Sequence, residues 1–258
     1  MNLRPPTALA VFASLWMIAL QAVAALEPVA TFEQANRLYE QGRFAESAAA
    51  YETLRGSRVS SPALFFNLGN AYFKAGETGR AIAAYLEAER LTPRDPDLNA
   101  NLRFARETAN ARVTQPAWRR ALRSLSLNEW TILAAAAAWF WLGLLTATKL
   151  RPAWARPLRT SQRLGIAWLL VSCATLGAAC NDRFGQRPAV IVAKEAVVRY
   201  GPLDDSQSHY TLHDGAEVNI LDSNQEWFQI GDPQNRIGWV KQAQLIEVGA
   251  QRPPAVRR

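Results

Sequence analysis

Three textures of apolar and polar positions follow one another along the chain. Between residues 28 and 112 the apolar positions return at intervals of three and four, as in Phe65, Leu68, Tyr72 and then Ala81, Tyr85, Ala88. That period predicts amphipathic helices. Residues 130–148 and 164–180 then carry no charged side chain, and each stretch is about as long as a bilayer is thick in helical rise. After Pro188 the pattern is that of short strands separated by turns. Ala196, Val197, Val198 and Arg199 precede Gly201-Pro202; Trp227 to Ile230 precede Asp232-Pro233; Ile237 to Val240 and Leu245 to Val248 follow. Five or six short strands in about 60 residues predict a small barrel. The chain therefore reads as multidomain: an all-α solenoid, a two-helix transmembrane hairpin and a small all-β barrel.

The helical region contains a 34-residue pattern. It runs Phe65-x₂-Leu68-Gly69-x₂-Tyr72, then Ala81-x₃-Tyr85-x₂-Ala88, then Pro93. Small Gly69 and Ala81 let two antiparallel helices approach, Tyr72 and Tyr85 fill the space between them, Gly76 gives the turn its freedom in φ, and Pro93 stops the second helix. The spacings resemble the tetratricopeptide repeat. One helix pair cannot bury its own apolar face, so a neighbour is required. Shifting back by 34 places Gly42 under Gly76, Ala50 under Ala84 and Tyr51 under Tyr85. Repeats are thus expected over residues 28–61 and 62–95, with a capping helix over 97–112.

At the N-terminus, Arg4 precedes an apolar run from Ala8 to Leu20 and the small residues Ala22-Val23-Ala24. That is the layout of a secretory signal over residues 1–24, either cleaved after Ala24 or kept as an anchor. The charge-free stretches at 130–148 and 164–180 read as transmembrane helices; a buried helix of a soluble domain is the other reading of the second. The loop between them, residues 149–163, carries five Lys/Arg and no acid, which places it in the cytoplasm. Arg112, Arg119, Arg120 and Arg123 compete with that placement, and the exported repeats decide it. Both soluble regions then face the periplasm of a bacterial inner membrane. Residues 113–129 form a juxtamembrane linker, in which Trp118, Leu122 and Leu125 share one side of a helix that could also lie on anionic lipid. Cys173 and Cys180 are seven residues apart, about 10 Å along a helix, so they read as packing residues.

The net charge of +7 is unevenly spread. Residues 27–110 carry 10 Lys/Arg against 11 Asp/Glu, and residues 188–248 carry 4 against 9, so the excess lies around the apolar segments and in the basic tail, residues 249–258. Such a distribution suits a membrane surface and not nucleic acid. There is no phosphate-binding glycine loop, no serine nucleophile elbow and no pair of histidines at metal-ligand spacing on a helix. His209 and His213 read as surface residues. No cofactor, metal or catalytic residue is expected, and the protein is not read as an enzyme.

The first helix of each repeat lines the concave side of such a solenoid. Asn36, Phe66, Asn67, Asn70, Phe73, Lys74 and Asn101 are therefore the candidate protein-binding residues. An Asn amide both donates and accepts, so it can hold an extended peptide backbone; the alternative for Asn67 and Asn101 is bonding between adjacent helices. In the last region, Ala196-x-Val198-Arg199-x-Gly201-Pro202, Leu212-x₂-Gly215-x₂-Val218, Trp227 and Gly238-Trp239-Val240 resemble a bacterial SH3-like domain. The resemblance implies binding of peptides or cell-wall material (peptidoglycan), with Tyr200, Trp227 and Trp239 as the ligand face or, for the tryptophans, as core. The whole order resembles the BatE-type proteins, the tetratricopeptide members of the Bacteroides aerotolerance clusters. Residues 67–76 (NLGNAYFKAG) and Asn101-Leu102-x₂-Ala105-Arg106 carry that likeness. It implies envelope or membrane partners, among them von Willebrand factor A-domain proteins working with a MoxR-type ATPase, and a scaffold role in aerotolerance or envelope stress. If the orientation argued above holds, protease added to spheroplasts removes both soluble regions; protection of either one on an immunoblot overturns it.

Overall fold

A computed structural model describes residues 28–57, 59–111 and 116–249. The expected signal segment, residues 1–24, lies outside these, as do residues 112–115 and the tail from 250 onward.

Five helices open the fold: α1 over residues 28–40, α2 (Phe44–Gly56), α3 (Pro62–Lys74), α4 (Thr78–Leu91) and α5 (Pro96–Thr108). The α1–α2 and α3–α4 turns each pivot on a glycine with positive φ, Gly42 at 74° and Gly76 at 83°, a conformation that any Cβ opposes. The starts of α3 and α5 are marked by caps. The Ser61 hydroxyl accepts from the Leu64 amide ahead of Pro62, and the Asp95 carboxylate accepts from the amides of Asp97 and Leu98 ahead of Pro96. α4 ends at Leu91, two residues before Pro93. α5 stops at Thr108, and Asn110 follows with φ of 52°. Ala35, Ala48, Tyr51, Leu64, Leu68, Ala81, Ile82, Tyr85, Ala88, Leu98 and Leu102 fill one continuous core. A Cβ on Gly69 would sit 2.5 Å from the Tyr85 ring, which is why glycine stands there.

Next come α6 (Ala117–Arg123), α7 (Leu127–Leu150) and α8 (Arg159–Phe184). α7 begins in a capping box, the Ser126 hydroxyl accepting from the Glu129 amide and Glu129 accepting from the Ser126 amide. α7 and α8 pack as an antiparallel hairpin, with Phe140 against Trp168 at 5.7 Å and Gly165 under Trp141 and Leu144. Both helices are long and apolar enough to cross a membrane. Only 11% and 17% of their most apolar windows are buried, whereas a core helix of a soluble domain is mostly covered. Ile132, Trp139, Phe140, Leu164, Leu170 and Val171 stand exposed.

The last region is one antiparallel sheet of seven strands: β1 (Pro188–Ile191), β2 (Glu195–Arg199), β3 (Ser208–His213), β4 (Glu217–Asn224), β5 (Trp227–Gly231), β6 (Ile237–Lys241) and β7 (Leu245–Glu247), in the order β3-β2-β6-β5-β4-β1-β7. Strands far apart in that order feed one core, with Val198 of β2 and Leu245 of β7 joining Ile191, Val218, Phe228, Ile230 and Val240. The sheet is therefore curled on itself. The strand beyond the expected five or six is accounted for by β3, whose sequence SHYTLH is mostly polar because it is an edge, bonded on one side only to β2.

The sheet docks on the helical solenoid. Val190, Ile246 and Val248 belong to the helical core and not to that of the sheet. The Gly79 amide at the start of α4 donates to both carboxylate oxygens of Asp214, at 3.2 and 3.1 Å. Arg106 of α5 forks onto Glu217 of β4 at 2.6 and 3.0 Å, and both side chains are largely buried. Gly215, with φ of 86°, lies so close that an added Cβ would meet Ala109 at 2.6 Å and Ile82 at 3.0 Å. Gly215→Ala therefore combines backbone strain with overpacking and is expected to destabilise the full chain by about 2 kcal/mol or more. Gly177→Ala, where a Cβ meets nothing within 4 Å, should leave the melting temperature in detergent almost unchanged.

Candidate functional site

The same three-residue arrangement occurs twice in the solenoid, 34 residues apart. Asn36 Oδ1 accepts from the Tyr51 hydroxyl at 2.5 Å and from the Asn67 amide at 3.3 Å. Asn70 Oδ1 accepts from the Tyr85 hydroxyl at 2.7 Å and from the Asn101 amide at 2.9 Å. Each set joins the two helices of one pair to the first helix of the next. Burial raises Tyr51 and Tyr85 above the ordinary phenol value, so both remain donors across the physiological range. The Asn36 and Asn70 amide N–H groups have no partner among the described residues.

Asn36, Asn67 and Asn70 line an open cleft together with Glu33, Arg37, Tyr39, Glu40 and Tyr51. The other expected groove residues are placed differently. Phe66 is half-buried and tilted against Tyr85, with centroids 6.3 Å apart. Phe73 packs on the exposed Phe104 at 5.5 Å. Lys74 is exposed one turn beyond Asn70, outside the cleft lining. The acidic and basic rim on α1 is a feature that sequence reasoning missed. Its signal was the i, i+3 and i, i+4 spacing of Glu33, Arg37 and Glu40 around Asn36.

In the sheet, Trp227 and Trp239 alternate with Phe228, Ile230 and Val240, and only the latter three enter the core. The tryptophans thus occupy the opposite face. Trp227 pairs with Lys241 and Trp239 with Gln229 and Arg199, which makes the two rings diagonal neighbours. Lys241 Nζ lies 5.4 Å over the Trp227 ring and 2.6 Å from Asp204. Trp227 is only 8% exposed, while Tyr200 is 60% exposed and rests on His209 at 4.2 Å. Trp239 is half-buried, so a ligand arriving on this face meets it before Trp227. His209 and His213 are both exposed on β3. Among the described residues, no group of three or more His, Cys, Asp or Glu is placed to hold a metal ion.

A third site lies where the solenoid, α6, the hairpin and the sheet meet. Leu86, Glu89 and Arg90 of α4, Arg123 of α6, Ala179, Asp182 and Arg183 of α8, and Glu217 of β4 line an open cavity there. Arg123 Nε donates to Asp182 at 2.8 Å, and Arg119 Nε faces the other Asp182 oxygen at 3.0 Å without an aligned hydrogen bond. Burial pushes the Glu89 carboxyl above the ordinary carboxylate range, against the pull of Arg106 and Arg123.

Comparison with known families agrees with this division. A tetratricopeptide repeat family matches residues 32–96, and a bacterial SH3 domain family matches residues 192–247. No curated protein matches the chain. Both modules are typically non-catalytic binding domains, the first of protein partners.

Because Glu89 binds its proton more tightly folded than unfolded, its contribution to stability is fully present below the unfolded carboxyl value and is lost as pH rises through the folded one. Glu89→Gln removes that loss. The variant is expected to melt about 2–4 °C above the parent near neutral pH, with the gap closing as pH falls towards about 4.5. A gap that persists unchanged at acid pH would show that the gain does not come from the Glu89 charge.

Proposed function

We propose that this protein is an adaptor anchored in the bacterial inner membrane, whose solenoid cleft docks a protein partner on the periplasmic side. The observation that carries the reading is the paired Asn–Tyr–Asn arrangement at the cleft. Hydrogen bonds hold Asn36 and Asn70 in place while their amide N–H groups remain unpartnered beside Glu33 and Arg37. Preorganised amides spaced along a groove suit the backbone of an extended peptide, because the ordering cost has been met in folding. The exposed apolar hairpin supports a bilayer as its cover, and the basic loop between α7 and α8 supports the cytoplasm as the side it faces. The likeness to BatE-type proteins supports an aerotolerance or envelope-stress setting, with von Willebrand factor A-domain proteins and a MoxR-type ATPase as the partner group.

A second reading is favoured by a separate observation. The sheet face bearing Trp239 and the Lys241–Asp204 pair, with Tyr200 exposed beyond the end of β2, presents aromatic groups with polar groups beside them. Such a surface suits a peptide-bearing sugar polymer, so the protein would then grip peptidoglycan through the SH3-like region.

Crosslinking of the full-length protein in cells separates the two. Glu33→Ala with Arg37→Ala changes the cleft rim without touching the core. On the adaptor reading this variant loses captured membrane proteins about tenfold, the equivalent of ~1.4 kcal/mol, while sedimentation of the detergent-solubilised protein with purified sacculi is unaffected. Capture that survives the cleft change, with sacculus binding abolished by Tyr200→Ala and Trp239→Ala, overturns the first reading in favour of the second.

A further inference from the structure

The cavity at the junction is asymmetric in charge. Arg90, Arg123 and Arg183 reach it from three different helices. Of its acids, Glu217 is committed to Arg106 by two hydrogen bonds, and Asp182 is shared by Arg119 and Arg123. Glu89 is held towards its neutral form by burial. Arg90 and Arg183 make no hydrogen bond or ion pair among the described residues. Both line the same cavity, one from α4 and the other from α8. Two guanidiniums without an acidic partner on one partly enclosed cavity favour an anion there.

The remaining lining identifies the class of anion. Leu122, Leu125, Leu127 and Ala179 make one side of the cavity apolar. Leu127 begins α7, and Ala179, which is buried, sits in the last turns of α8, so this apolar side lies at the end of the hairpin. A soluble anion has no use for such a wall. An amphiphile does, since its charged group meets the arginines while its chains stay in hydrocarbon. Arginine's planar fork matches phosphate oxygens two at a time.

We infer that this cavity binds the phosphate group of an anionic membrane lipid, held by Arg90 and Arg183, with the acyl chains leaving past Leu127 and Ala179 along the hairpin. The inference rests on reading α7 and α8 as membrane-spanning. The bound lipid would bridge α4 and α8 and join the solenoid to the bilayer surface at a defined depth.

The test uses the full-length protein, extracted from membranes in mild detergent and examined by native mass spectrometry with added phosphatidylglycerol or phosphatidylcholine. Retention selective for phosphatidylglycerol is expected. Arg90→Gln and Arg183→Gln should each weaken it about fivefold, the effect of one basic residue at an anionic surface. Arg103→Gln, on the exposed side of α5, should leave it unchanged. Glu89→Gln, which keeps that group neutral, should likewise leave retention unchanged near neutral pH. Equal retention of both lipids, or retention indifferent to Arg90 and Arg183, overturns the inference. Displacement of phosphatidylglycerol by millimolar inorganic phosphate overturns the lipid as its source. Release of the protein from membranes by alkaline carbonate would instead overturn the membrane reading itself, and it is scored before any lipid is added.

Discussion

The contact between α4 and the curled sheet decides what kind of molecule this is. α4 packs on α3 and α5 with one side and on β1 and β7 with another. Gly79 and Gly215 are glycines because backbone meets backbone and side chain there at distances that exclude a Cβ. Val190, Ile246 and Val248 are consequently counted in the helical core although they belong to the sheet. The Arg106–Glu217 fork and the Asp214–Gly79 bonds then fix the rotation of one region on the other. A sequence of separate modules becomes one body, and the cleft and the aromatic sheet face acquire a set relation to the hairpin.

Much of the fold was legible because it is periodic. Gly42 and Gly76, Tyr51 and Tyr85, Asn36 and Asn70, and Asn67 and Asn101 all differ by 34, and each pair has the same job in the structure. The charge-free stretches are equally plain, and each lies within a long helix whose apolar side chains are mostly uncovered. What escaped reading has no local period. β3 is a polar edge strand and carries no alternation of its own. Arg106 and Glu217 are 111 positions apart, and nothing beside either residue advertises the other. Gly215 looks like an ordinary turn glycine until Ala109 and Ile82 are seen beneath it.

The candidate sites divide in the same way. Placing Asn36, Asn67 and Asn70 at a cleft needed only the repeat register, while the rim formed by Glu33 and Arg37 needed the cleft itself. The tryptophans show how alternation is informative once a core is known. Phe228, Ile230 and Val240 point inward, so Trp227 and Trp239 must point the other way. The junction cavity was invisible in sequence, because its walls come from α4, α6, α8 and β4, which the chain visits far apart.

The hairpin has a consequence for the strength of the solenoid–sheet contact. α8 ends at Phe184 and β1 begins at Pro188, so there is almost no slack between the two. The chain leaves the solenoid, travels down α7 and back up α8, and returns the sheet to where it started. The two surfaces therefore meet as an intramolecular pair at high effective concentration. Here the hairpin acts as the clasp, and a cut in the loop between α7 and α8 would turn a standing contact into one that depends on how tightly the two helices grip each other.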